Sequence, residues 1–152
     1  MIFEPGRSIV AEAGLTLYEV RFVKDILGIR KYVCVDGGMT DNPRHALYNA
    51  QYDVAIANKM NEVKSEKVTI AGKCCESGDV ISKDVYLQSP ITKDILAVFC
   101  TGAYNYSMAS NYNRIPRPPV VMVENGKSYL IVDRETYEDL IKNDKIPQHF
   151  CF

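Results

Sequence analysis

Histidine is scarce in this chain: His45 and His149 are the only two and lie far apart. Their separation argues against imidazole-based metal sites and catalytic triads. Cysteine does not fill the gap. Cys34, Cys74, Cys75, Cys100 and Cys151 are odd in number, two are adjacent, and none forms a C-x-x-C pair, so free thiols fit better than a disulfide framework or a zinc cage. An excess of either charge is also missing. With 18 basic against 19 acidic residues the net charge is −1, so nothing suggests a basic surface that would be drawn to nucleic acid or anionic lipid. The expected partner is a small molecule or a protein. No apolar run reaches the roughly 18 residues needed to cross a bilayer. The N-terminus also lacks the basic-then-apolar layout of a signal peptide, so a cytoplasmic location is expected. Repeats, low-complexity tracts and linkers are absent, and 152 residues suit one domain with a real core.

What the chain does have is strand character. Residues 8–10, 15–23 and 30–35 alternate or run apolar and are rich in β-branched and aromatic types, which predicts strands. Gly37-Gly38 breaks the pattern, and Asp41-Asn42-Pro43 supplies turn chemistry before a short predicted helix over 44–48. Further strands are expected over 52–57, 68–71, 80–87 and 95–100. Asn125-Gly126 between 120–123 and 128–132 predicts a hairpin with a type I′ turn. Thr136, with Glu138 or Asp139 in the first turn, predicts a closing helix. Seven or eight strands with two or three short helices make a mainly β domain, of barrel or sandwich type.

Four motifs carry possible chemistry, and each has a bland alternative. Glu4-Pro5-Gly6-Arg7 is an ordinary turn with surface charges, or an acid and a guanidinium held for a cofactor. In Asp36-Gly37-Gly38…Asn42-Pro43-Arg44-His45-Ala46-Leu47-Tyr48, a glycine turn and a capped helix account for the pattern. Arg44 and Tyr48, however, share one helical face at i and i+4 and can grip a carboxylate together. Cys75-Glu76-Ser77-Gly78-Asp79 is a surface turn with a packed thiol, or a proton donor beside a carboxylate that binds an ammonium group. A thiol with a pKa of about 8.5 keeps its proton at neutral pH. Gly102-Ala103-Tyr104 leaves an apolar strand, and such tyrosines commonly pack at a domain edge.

Taken together, in this order and spacing, the motifs resemble the pyridoxal-phosphate-dependent decarboxylases with an alanine-racemase-like fold, and within them the diaminopimelate decarboxylases. Arg134-Glu135-Thr136-Tyr137-Glu138-Asp139-Leu140 adds to the match, so the likeness spans essentially the whole chain. His45 stands where family members often have proline, and Cys74 precedes the cysteine that the motif assigns.

The resemblance implies that residues 1–152 form a single C-terminal β domain. Residues 1–7 are similar to the last strand and exit of a (β/α)8 barrel that lies outside the chain, together with the Schiff-base lysine. It implies cofactor contacts at Glu4, Gly6, Arg7 and Tyr104, with Glu4 facing the pyridine nitrogen of pyridoxal phosphate. It further implies substrate contacts at Arg7, Arg44, Tyr48, Glu76 and Tyr104, and Cys75 as the catalytic proton donor. The implied reaction converts meso-diaminopimelate to lysine and carbon dioxide. The complete enzyme would be a homodimer with shared sites, Cys75 and Glu76 reaching into the partner's. Alone, the chain is expected to be inactive and to self-associate through apolar surface near Ile2 and Phe3. The alternatives are a decarboxylase for another basic amino acid, of ornithine or arginine type, or a non-catalytic β domain for dimerisation or binding.

Overall fold

Eight strands and three short α-helices form among the described residues of the computed structural model, which are 1–147 and 149; Cys151 lies outside them. They group into two compact units, Met1–Ala109 and Ser110–Phe152.

The first unit begins with α1 (Arg7–Val10), where a strand was expected over 8–10. Ser8, Ile9 and Val10, shortly after Pro5-Gly6, are too short a run to hold a strand, and the turn folds them into a helical loop instead. Ile9 N donates to Gly6 O at 3.0 Å and Ala11 N to Arg7 O at 2.9 Å. Six strands follow: β1 (Thr16–Ile26), β2 (Arg30–Val35), β3 (Val54–Ile56), β4 (Glu66–Ala71), β5 (Val80–Leu87) and β6 (Ile95–Val98). The expected helix forms as α2 (Arg44–Tyr48) between β2 and β3.

These strands make one sheet in the order β3-β6-β1-β2-β4-β5, antiparallel throughout except for the parallel pair β2 and β4. Its edge strands β3 and β5 come together, and Gln88 Oε1, just past β5, accepts from Ile56 N at 2.9 Å, so the sheet is a nearly closed barrel. Inside it lie Val20, Val33, Val35, Ile56, Ile70, Ile81, Leu87, Leu96 and Val98, each at most 1% exposed. Burying such side chains contributes about 1.5–3 kcal/mol apiece.

Alternation along β1 sends Tyr18 and Val20 inward; a register shift between Val20 and Phe22 then turns Phe22 out and Val23 in. A bulge of this kind bends the strand, as barrel closure requires. Residues 1–6 carry no regular structure, and Ile2 and Phe3 are exposed.

In the second unit β7 (Val120–Glu124) and β8 (Lys127–Val132) form the expected hairpin. Asn125 and Gly126 take φ of 49° and 74°, the left-handed pair that a type I′ turn needs. A capping box starts α3 (Tyr137–Ile141): Asp139 N donates to Thr136 Oγ1, and Thr136 N donates to the Asp139 carboxylate. Glu135 accepts from Arg117 N and Nε, both at 2.8 Å, and from Asn111 Nδ2 at 2.6 Å. The Arg117 backbone bond, followed by its side chain, holds the Glu135 carboxyl down at about 2. No helix among the described residues is long and apolar enough to cross a membrane.

Candidate active-site residues

The Pro5-Gly6 turn and the loop after β6 meet where Gly6 has no side chain. A Cβ there would overlap the Tyr104 hydroxyl, so glycine is what lets the phenol approach the backbone. Tyr104 and Cys100 both adopt left-handed backbone, with φ of 62° and 58°. Such conformations cost about 1–3 kcal/mol each and concentrate at functional sites. The first turn of α1 places Arg7 so that its Nη2 donates to Cys100 O at 3.0 Å, with the guanidinium 5.7 Å from the Tyr52 ring. Arg44, at the start of α2, lies 5.2 Å from the Tyr48 ring one turn on and 5.7 Å from the Tyr104 ring.

Arg7 Nη1, Arg44 Nε and Asn105 Nδ2 are buried without a hydrogen-bond partner among the described residues. An unmet buried donor costs roughly 1–3 kcal/mol, more when charged. Two guanidiniums framed by phenol rings, with nitrogens left to satisfy, suit an anionic group such as a carboxylate or phosphate.

Cys75 and Glu76 stand exposed on a different segment, the loop joining β4 to β5. Its root is Asp79, only 3% exposed. One carboxylate oxygen accepts from Met39 N at 2.6 Å and the other from Cys74 N at 2.7 Å. Burial, and then the Asp79 carboxylate, push the Cys74 thiol up to about 11. Cys74 is therefore a poor thiolate, while its neighbour Cys75 points to solvent. Beside this loop the Tyr18 hydroxyl donates to Asp41 at 2.5 Å, and Asp41 also accepts from Gly38 N at 3.1 Å. Burial raises the pKa of both partners of that pair.

The structure thus brings Gly6, Arg7, Arg44, Tyr48 and Tyr104 into one neighbourhood and carries Cys75 and Glu76 on another loop. Glu4 is exposed within 1–6. Sequence reasoning missed Tyr52 and Asn105, which reach the cluster only through tertiary folding. It also gave Asp79 no role, although the residue ends the Cys75-Glu76 motif.

Comparison with known proteins places the chain in a family. The family model described as "Pyridoxal-dependent decarboxylase, C-terminal sheet domain" matches residues 8–102. A diaminopimelate decarboxylase of Bacillus subtilis is 60% identical over 141 residues, covering 93% of this chain and 32% of the relative. Among solved structures, the diaminopimelate decarboxylase of M. jannaschii in complex with L-lysine superposes with a TM-score of 0.88 at 43% identity, over 97% of this chain and 33% of the other. That of Helicobacter pylori, also complexed with L-lysine, gives 0.81 at 37% identity, over 91% and 34%. The chain spans about a third of the length of the relatives it matches. It belongs to the pyridoxal-dependent decarboxylases, whose C-terminal sheet domain it carries.

Proposed function

We propose that this chain is the C-terminal part of a diaminopimelate decarboxylase, acting in lysine biosynthesis in the cytoplasm. The observation that carries the proposal is the pair of unpartnered guanidinium nitrogens, Arg7 Nη1 beside the Tyr52 ring and Arg44 Nε beside the rings of Tyr48 and Tyr104. They are what an amino acid with a carboxylate at each end, together with a phosphorylated cofactor, would occupy.

The donor chemistry fits pyridoxal phosphate. Arg7 suits its phosphate end, next to Gly6, whose missing side chain admits the Tyr104 hydroxyl; Glu4 suits its ring nitrogen, and Tyr104 either the ring or the substrate. When bound, the cofactor supplies an electron sink for loss of carbon dioxide. Arg44 and Tyr48 hold the distal carboxylate of meso-diaminopimelate, and Glu76 its distal ammonium. Ornithine has a distal ammonium but no distal carboxylate, so the contacts of Arg44 and Tyr48 set the preference. Cys75 delivers a proton to the carbon that has lost its carboxylate. Residues 1–152 act as one C-terminal β domain, with 1–7 leading out of a barrel that provides the cofactor's lysine. The complete enzyme is a homodimer in which Cys75 and Glu76 serve the partner's site. The partner molecule is the small substrate, with no nucleic acid or membrane involved.

The test is to join this chain to the remaining two-thirds of the Bacillus subtilis relative and to assay lysine formed from meso-diaminopimelate. The hybrid should produce lysine and the chain alone should not, even with added pyridoxal phosphate. In the hybrid, Arg44→Ala should depress the rate at least tenfold. A hybrid that folds, shows the bound cofactor's absorbance and still forms no lysine would overturn the proposal.

A further inference from the structure

The buried Asp79 carboxylate fastens two chain segments to each other through their backbones. It accepts from Met39 N, beyond the Gly37-Gly38 turn, and from Cys74 N, at the base of the exposed loop. Its own backbone closes the loop as well: Gly72 N donates to Asp79 O at 2.9 Å, and Asp79 N to Glu76 O at 3.1 Å. Lys73 N adds a bond to Gly37 O at 3.0 Å. Glycines make the space. A Cβ on Gly38 or on Gly72 would run into the Asp79 carboxylate, so only glycine at both positions lets the acid sit between the two segments. Hydrogen bonds from amides to a carboxylate are among the stronger ones, and two on one buried group leave it little freedom.

We propose that Asp79 is a positioning residue: by tying the 72–79 loop to the Gly37-Gly38-Met39 turn, it fixes where Cys75 and Glu76 are presented. The inference rests on the roles proposed above for those two residues. The tie also explains which of the adjacent thiols is offered. Cys74 is drawn inward at the root of the loop, so Cys75 stands at its tip. Because the turn it holds leads directly into α2, the same carboxylate sets the loop against the element that carries Arg44 and Tyr48.

The experiment has two arms. In this chain, Asp79→Asn should speed amide hydrogen exchange at Met39 and Cys74 at least tenfold while Val20, Val33 and Val98 in the sheet keep their rates. In the hybrid enzyme, Asp79→Asn should lower kcat at least tenfold, and adding it to Cys75→Ser should lower kcat no further than Cys75→Ser alone. Should Asp79→Asn fail to fold, Gly72→Ala, which displaces the carboxylate from the other side, should give the same local exchange and the same non-additivity. Unchanged exchange at Met39 and Cys74, a uniform rise across the sheet, or kcat losses that multiply would each overturn the inference. Full activity of Cys75→Ser by itself would instead sink the proton-donor role, leaving the exchange arm to decide whether Asp79 holds the loop.

Discussion

Cys74 and Cys75 are neighbours in sequence with opposite surroundings. Cys74 is half-buried, with its thiol pushed up to about 11 by burial and by Asp79, whereas Cys75 is exposed. The thiolate is the reacting form, and its population falls tenfold for each unit by which pKa exceeds pH. At pH 8, iodoacetamide should therefore modify Cys75 first, with Cys74 slowed roughly a hundredfold relative to a thiol of ordinary pKa. Peptide mass spectrometry over a time course checks this, and equal rates at the two positions would contradict it. The proposed role of Cys75 rests in the sequence only on family likeness; what the structure adds is the Asp79 carboxylate, which binds the amide of Cys74 and that of Met39, forty residues away. Arg44 and Tyr48 were different. Their spacing of four is a local property, and one helical turn brings guanidinium and ring to 5.2 Å. Tyr52 and Asn105 lie 53 residues apart and meet through a long hydroxyl–amide contact of 3.5 Å that no local pattern announces.

Elements whose pattern is local were the readable ones. The β5 span, the α2 span and the hairpin of β7 and β8 follow from alternation, turn residues and spacing. Two features were not. The bulge in β1 reverses which of Phe22 and Val23 is buried, because barrel closure bends the strand there. Residues 8–10 read as a strand because Ile9 and Val10 favour one, but the run is short and a helical turn satisfies its amides locally. The hairpin gives a test of how far a turn residue matters. Gly126 has φ of 74° and open space where a Cβ would go, so its need for glycine is conformational rather than steric. Gly126→Ala should cost about 1 kcal/mol. Gly78, with equal space and no left-handed backbone, is the control, and Gly78→Ala should stay within about 0.5 kcal/mol. Thermal or denaturant unfolding, followed on the hairpin signals for Gly126→Ala and on the barrel signals for Gly78→Ala, would measure both; equal losses would show that backbone conformation is not the cause.

At the scale of the whole molecule, the two units differ in what holds them. Met1–Ala109 has a closed apolar interior, while the hairpin in Ser110–Phe152 is exposed along nearly its whole length. A two-stranded hairpin alone is marginal in water, so polar fastenings carry more of the second unit's stability. Glu135 is the chief one, binding Arg117 and Asn111, with Asp139 of the capping box beside it. Both carboxyls are held below their ordinary values, Glu135 at about 2. A carboxyl depressed in the folded state contributes stability that is present in full above its unfolded value of 4.5 and is lost as pH falls through about 2. The first unit carries opposing groups. Glu66 and Asp94 are lowered and act in the same sense, whereas Asp41 is raised by burial, so its contribution is present below 3.8 and lost as pH rises through its folded value. Partial cancellation should make that unit less sensitive to acid. Lowering the pH from 5 to 2 should thus collapse the NMR dispersion of β7, β8 and α3 before that of the barrel strands. Glu135→Gln should remove most of that early loss while lowering the second unit's stability at pH 7. Simultaneous loss of both units, or a full acid response in Glu135→Gln, would place the second unit's stability somewhere other than this carboxylate.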